Sequence, residues 1–149
     1  QCKSWGASHV INHRTENLKE KLAELAAEKP FDVWIETQRE PDFDLMVSTM
    51  APGGRMVLIA GRAARPQFPV GPFYLKGLVL TGFAMFNSPP ERQRLAALDV
   101  AKWLEEKKLE VKLGAVYPLE QASEAHAFLE ANTVGMAGKL IGKVVVQVA

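Results

Sequence analysis

The chain has 149 residues, 48% of them apolar, with 18 basic and 17 acidic side chains and a formal net charge of +1. That is enough for one domain with a core of its own, and near-neutral charge argues against a polyanion binder: Lys107-Lys108 is only a doublet at a helix end, so nucleic acid is not an expected partner. No apolar run approaches the ~18 residues that span a bilayer and no signal peptide is recognised, so no membrane partner is expected. The single Cys2 excludes an internal disulfide and a cysteine-based zinc site, and the cytoplasm is the expected compartment.

Gln1 to Ala7 reads as the last turn of a helix, with Gly6 as its stop. A chain that opens inside a helix is expected to be a fragment. His9-Val10-Ile11-Asn12 is a short β-type stretch. Thr15 is a candidate N-cap, with Glu16 in the first turn. Leu18, Leu22 and Leu25 then recur at helical spacing until Pro30. Phe31 to Thr37 is a compact strand. After Pro41, Phe43, Met46, Val47 and Met50 stand at i, i+3, i+4 and i+7, an amphipathic helix. Ala51-Pro52-Gly53-Gly54 is expected to stop that helix and turn the chain. Arg55 to Gly61 is nearly all apolar, as in a strand covered on both faces.

Arg62 to Gly77 carries Pro66, Pro69 and Pro72 and can hold no long helix. Leu78 to Phe86 reads as a strand. Ser88-Pro89-Pro90-Glu91 has the form of a capping box with proline at the first helical position. The helix that follows should reach about Lys107 and bury Leu95, Leu98, Ala101 and Leu104. Val111 to Val116 is a weaker strand. Pro118 opens a last helix with Ala122, Ala125 and Leu129, and His126 lies on or beside its apolar stripe. Gly142-Lys143 leads into a closing strand, Val144 to Val146. Strand and helix alternate through the first two thirds, the pattern of an α/β fold with a parallel, helix-covered sheet.

Ligands of open α/β sheets sit beyond the carboxyl ends of the strands. The residues there are His13-Arg14, Thr37-Gln38-Arg39, Ala60-Gly61-Arg62 and Gly82-Phe83. Gly61 and Gly82 would let a flat ring or a ribose reach the backbone, although a glycine ending a strand is also simply a turn former. His13 could stack on a base, and Arg14, Arg39 and Arg62 could pair with phosphate. Glu36, at a strand end, is either a buried acid or one half of a salt bridge. There is no G-x-G-x-x-G, no Walker A sequence and no Ser-His-Asp or Cys-His arrangement of motif-like spacing. His9 and His13 are four apart on strand and loop, so no metal site is expected.

Five segments carry a resemblance. Gly6 to Arg14, Phe31 to Glu36, Ala51-Pro52-Gly53-Gly54-Arg55 with Ile59-Ala60-Gly61, Tyr117 to His126, and Gly142 to Val145 resemble, in order and spacing, segments of the medium-chain dehydrogenase/reductases. Within that superfamily the ordered set is most similar to the zeta-crystallin-like NADPH:quinone oxidoreductases. The resemblance implies a partial Rossmann domain over residues 1–110, a doubly wound parallel sheet lacking its first strands. Residues 111–149 would return to a GroES-like, alcohol dehydrogenase-like catalytic domain.

In that family the strands run 3-2-1-4-5-6, which would make His9 to Asn12 strand 3, Phe31 to Thr37 strand 4, Arg55 to Ala60 strand 5 and Leu78 to Met85 strand 6. The family fold implies that His13, with Arg14 beside it, flanks the adenine. Gln38 and Glu40 would lie near the ribose, and Ile59, Ala60, Gly61, Gly82 and Phe83 would line the nicotinamide half. It implies NADP, or NAD, as cofactor, hydride transfer to a quinone or enone without zinc, and no catalytic acid or base within this chain. The chain alone would be inactive. Its expected partners are the N-terminal half of the same protein and a second copy, paired through the Leu78–Phe86 edge. Two departures stand out: Gln38-Arg39-Glu40-Pro41 replaces the family's Gly-rich turn, and the Gly-rich loop with the first two strands is absent. Two other readings compete. A class I methyltransferase fragment shares the acidic-apolar strand and the P-G-G step, but not the Tyr117–His126 helix start or the closing strand. A non-catalytic module would use its open sheet edges to pair with another protein.

Overall fold

The computed structural model describes residues 1–148. They form two compact units, Gln1–Asn87 and the chain from Ser88 onward.

The first unit begins with a 3-10 turn, Lys3–Trp5, closed by Gly6 at φ +94°, a conformation glycine adopts without penalty. Residues 9–12 form no strand, because no segment of the described residues pairs with them. Helix α1 (Leu18–Glu28) is capped by Asn17, whose side chain accepts from the Lys19 and Glu20 N–H groups, rather than by Thr15. Thr15 and Glu16 instead close a turn on the Asn12 carbonyl.

Strand β1 (Phe31–Glu36) is followed by α2 (Phe43–Thr49), whose N-cap Asp42 accepts from Leu45 N–H at 3.0 Å. The same carboxylate meets Lys19 Nζ at 2.7 Å and so ties α1 to α2. Strand β2 (Met50–Leu58) starts earlier than expected. Phe31 pairs with Met50 and Val33 with Arg55, so Ala51 to Gly54 is a bulge inside the strand, with Gly53 at φ +74°. Helix α3 (Val70–Leu75) is the one short helix the prolines allow, and β3 (Val79–Gly82) is four residues long, not the nine of Leu78 to Phe86. Met85–Asn87 turns off as a 3-10 helix.

The sheet order is β1-β2-β3, all parallel, with Trp34, Met56 and Leu80 in register on one face and Val33, Arg55 and Val79 on the other. The first face is covered. Met46, Val47, Met50 and Met56 are at most 1% exposed, and with Phe43 and Leu78 they pack against Phe31, Trp34, Leu58 and Leu80. Phe68, from the proline-rich loop, stacks edge-on between Phe43 and Phe73 with centroids 5.0 Å from each, which anchors that loop to α2 and α3. Lys76 Nζ donates to the Val47, Ser48 and Met50 carbonyls, satisfying the C-terminal end of α2. The second face is not covered as its apolar run suggests: Val33, Ile35 and Val79 stay exposed.

The second unit opens with α4 (Pro90–Glu105). Its N-cap is Pro89 and no side chain caps it, so Ser88 is not half of a capping box; Pro90 does hold the first helical position. None of its residues is buried, and Leu95, Leu98, Ala101 and Leu104 are exposed, against expectation. Strand β4 (Leu113–Pro118) and strand β5 (Lys143–Gln147) pair in parallel, joined through α5 (Ala122–Thr133). A 3-10 turn, Leu119–Gln121, separates Pro118 from α5. Ala125 is the buried residue of α5, while His126 is exposed rather than packed. Asn132 Oδ1 accepts from the Lys139 and Leu140 N–H groups and so holds the loop back to β5.

Candidate functional site

Parallel pairing decides where the strand tips fall. Glu36 pairs with Leu58, and Leu58 with Gly82. Two further backbone bonds extend the alignment: Ile59 N–H donates to the Glu36 carbonyl at 3.1 Å, and Phe83 N–H to the Leu58 carbonyl at 2.9 Å. The carboxyl ends of all three strands therefore lie side by side at one end of the sheet. This single edge gathers Gln38, Ile59, Ala60, Gly61, Gly82 and Phe83, six of the eight candidate residues.

The two glycines differ. At Gly82 an added Cβ would meet nothing within 4 Å, so the space above that backbone is open. At Gly61, φ is +82° and an added Cβ would stand 3.3 Å from both the Arg39 carbonyl and the Pro41 ring. The fold itself explains Gly61: the loop from β1 leans on it. Ile59 and Phe83 are about half exposed, and Ala60 is exposed.

Gln38 stands in the β1–α2 loop with its side chain exposed. Its N–H is held by the carboxylate of Glu36, at 2.6 Å to Oε1, while Glu36 Oε2 accepts from Trp34 Nε1–H at 3.1 Å. Glu36 is thus the buried acid of the two possibilities, 5% exposed. The alternation in Phe31–Glu36 carried that signal, since Trp34 and Glu36 fall on one face. The brace of Pro41 on Gly61 had no counterpart in the sequence. Gln38 and Glu40 also border an open trough of about 740 Å³ that runs along the outer side of β1 to α1 and α2.

Among the described residues, no hydrogen bond or ion pair ties His13 or Arg14 to this edge. Both are exposed in the turn after residues 9–12, where Asn12 Oδ1 holds the Arg14 N–H at 3.1 Å. Among the described residues no group of three or more His, Cys, Asp or Glu side chains is placed to hold a metal.

An open parallel sheet with its carboxyl tips aligned at one edge has the end at which open α/β folds bind their ligands. The comparisons give the family. Residues 5–146 match the family described as zinc-binding dehydrogenase, and the chain belongs to it. The quinone oxidoreductase of Sus scrofa is 30% identical over 136 residues, which are 91% of this chain and 41% of that protein. The chain therefore spans about two fifths of the length of the curated relatives it matches. The crystal structure of an NAD-dependent alcohol dehydrogenase superposes with a TM-score of 0.71 at 25% identity, over 99% of this chain and 40% of its own. That of Vibrio vulnificus CurA in complex with NADPH has a TM-score of 0.68 at 24% identity, over 97% of this chain and 44% of its own, and supports the fold alone. The family's description names zinc, but the described residues do not fit such a site: Cys2 is exposed, and among the described residues His9, His13 and His126 join no cluster of three or more donors.

Proposed function

We propose that this chain is the part of a zinc-independent NAD(P)H-dependent oxidoreductase that forms one wall of the cofactor cleft. The single observation that supports the reading most is the register Glu36–Leu58–Gly82, which lines up three strand tips with open space above Gly82. The likeness to a quinone oxidoreductase supports a quinone as the substrate class, with an enone of similar electron demand beside it in this reading.

The bound nicotinamide would supply the hydride. The chain's own residues would bind and orient it: Ile59, Ala60, Gly82 and Phe83 offer an apolar, partly bare surface to a flat ring, Gly61 keeps the second tip low, and Gln38 offers amide donors and acceptors to a ribose. His13 and Arg14 would take the adenine end. The wall would act by positioning and by excluding water, with no acid or base drawn from this chain. NADP is the cofactor of first choice and NAD the second. Residues 1–110 would be the nucleotide-binding part and residues 111–149 the return to the catalytic domain, of a cytoplasmic enzyme completed by an N-terminal half. The β3 edge, with Val79, Phe83 and Phe86 exposed, would pair with its copy in a homodimer. Among the described residues no helix is long and apolar enough to cross a membrane.

Gly82→Val in the complete protein tests this. An added Cβ meets nothing of the fold within 4 Å, so the melting temperature should stay within a few degrees. The Kd for NADPH or NADH by calorimetry should rise by about tenfold or more. If the wild-type protein binds neither nucleotide, or binds S-adenosylmethionine instead, the reading fails.

A further inference from the structure

Glu36 is a buried carboxylate whose two bonded partners are both neutral, the Trp34 indole and the Gln38 amide. Burying a charge against neutral donors is costly when an amide of the same shape could stand there. A carboxylate does one thing the amide cannot: it accepts through both oxygens and donates through neither. Glutamine at position 36 would turn its NH2 toward one of the two N–H groups and lose that bond. The arrangement therefore requires an acceptor-only side chain.

Its consequence lies in the loop beyond β1. The 2.6 Å bond from Gln38 N–H spans two residues and ties the backbone just beyond the strand tip to the Glu36 side chain, ahead of the bend at Arg39 and Glu40. Three residues on, Pro41 is buried, and it leans with the Arg39 carbonyl on Gly61 at the tip of β2. The loop is held at the Gln38 N–H and again at Arg39 and Pro41, while the Gln38 side chain stays exposed. We propose that Glu36 is a positioning residue: its carboxylate sets the backbone of Gln38, and so the ledge between the first two strand tips against which the ribose of a nicotinamide nucleotide rests. This deepens the functional reading above and rests on it. It assigns Glu36 to cofactor affinity and not to the chemical step.

The test uses the complete protein with three variants, Glu36→Gln, Gln38→Ala and the two together. Affinity for NADPH and NADH is measured by calorimetry, quinone reduction gives kcat and KM, and melting temperature reports the fold. Glu36→Gln should raise the Kd about tenfold, the loss of one charge-assisted hydrogen bond, with kcat at saturating nucleotide changed less than about twofold. Gln38→Ala should also weaken binding, and the double variant should be no weaker than the worse single one, because both act through one ledge. Should Glu36→Gln fail to fold, Glu36→Asp reads the same bond: its carboxylate is one methylene too short to reach both donors, and the Kd should rise while kcat holds. Unchanged Kd in folded Glu36→Gln or Glu36→Asp protein overturns the proposal. So does a fall in kcat and melting temperature at constant Kd, the signature of a merely structural acid. A wild-type protein that binds neither nucleotide overturns the functional reading itself, whereas wild-type binding with indifferent variants overturns this inference alone.

Discussion

The two units solve the same problem, holding parallel strands together, by different means. In Gln1–Asn87 the sheet is held by side chains: Met46, Val47, Met50 and Met56 are shut away between one face of the sheet and α2. In the unit from Ser88 onward, Ala125 is the buried hydrophobic residue among those described, and the pairing of β4 with β5 rests on close backbone approach. A Cβ at Gly114 would meet Leu140 Cδ1 at 2.5 Å and the Ile141 carbonyl at 2.6 Å, and one at Gly142 would run into the Lys112 carbonyl. Stability that resides in buried volume is sensitive to truncation, whereas stability that resides in backbone contact is sensitive to any added carbon.

Four experiments break or sharpen that contrast. Met46→Ala removes a side chain that is 0% exposed and should cost about 2–5 kcal/mol of unfolding free energy, read from denaturant melts. A loss below ~1 kcal/mol would show that the first unit does not depend on its methionine core. Gly142→Ala, at φ +103° and against a carbonyl, should cost about 1–3 kcal/mol. Amide exchange should show the loss as opening of the β4–β5 pair while β1–β3 stay protected; uniform loss of protection would erase the distinction between the units.

Asp42→Asn probes how α1 is tied to α2 within the first unit. The hydrogen bond from Lys19, then the Leu45 N–H and after it the Lys19 charge, hold the Asp42 carboxyl below its ordinary value of 3.8. A folded-state pKa below the unfolded one contributes stability that is present above the unfolded value and lost as pH falls through the folded one. Wild type should therefore melt a little higher than Asp42→Asn at pH 7, and the gap should close in melts taken stepwise down to about pH 3. A gap that widens in acid contradicts the assignment. Lys19 is well exposed and Asp42 about one third exposed, so solvent screening keeps the effect small. Smallest is Leu98→Ala in α4. With 54% exposure it should change stability by less than about 0.5 kcal/mol, where a buried stripe would have cost several times that.

Much of the first unit was legible in its residues. The i, i+3, i+4 spacing of Phe43, Met46 and Val47 names α2 and the residues it buries, because a helix of 3.6 residues per turn puts them on one side, whereas Met50, expected on its next turn, is buried as the first residue of β2. Gly6, Pro30 and the prolines after Arg62 marked turns and stops through backbone chemistry that needs no partner. Where a feature depended on a partner, the sequence was silent or misleading. His9 to Asn12 has strand composition but no neighbour to pair with. Ser88 and Glu91 have capping-box spacing, yet Pro89 takes the cap and Ser88 instead gives its carbonyl to Gln93. Leu95, Leu98 and Leu104 repeat at helical spacing with nothing buried beneath them.

The same division holds at the candidate site. The sequence by itself determined which residues follow each strand, and the alternation that sets Glu36 on the face of Trp34, since both are consequences of local backbone geometry. Tertiary structure alone decided that the three tips share one edge, that Gly82 is open while Gly61 is braced by Pro41, and that the Glu36 carboxylate closes on Gln38 rather than on a cation. Those outcomes depend on register and on distances between segments far apart in the chain, and one-residue changes in pairing that no local pattern encodes would have reversed them.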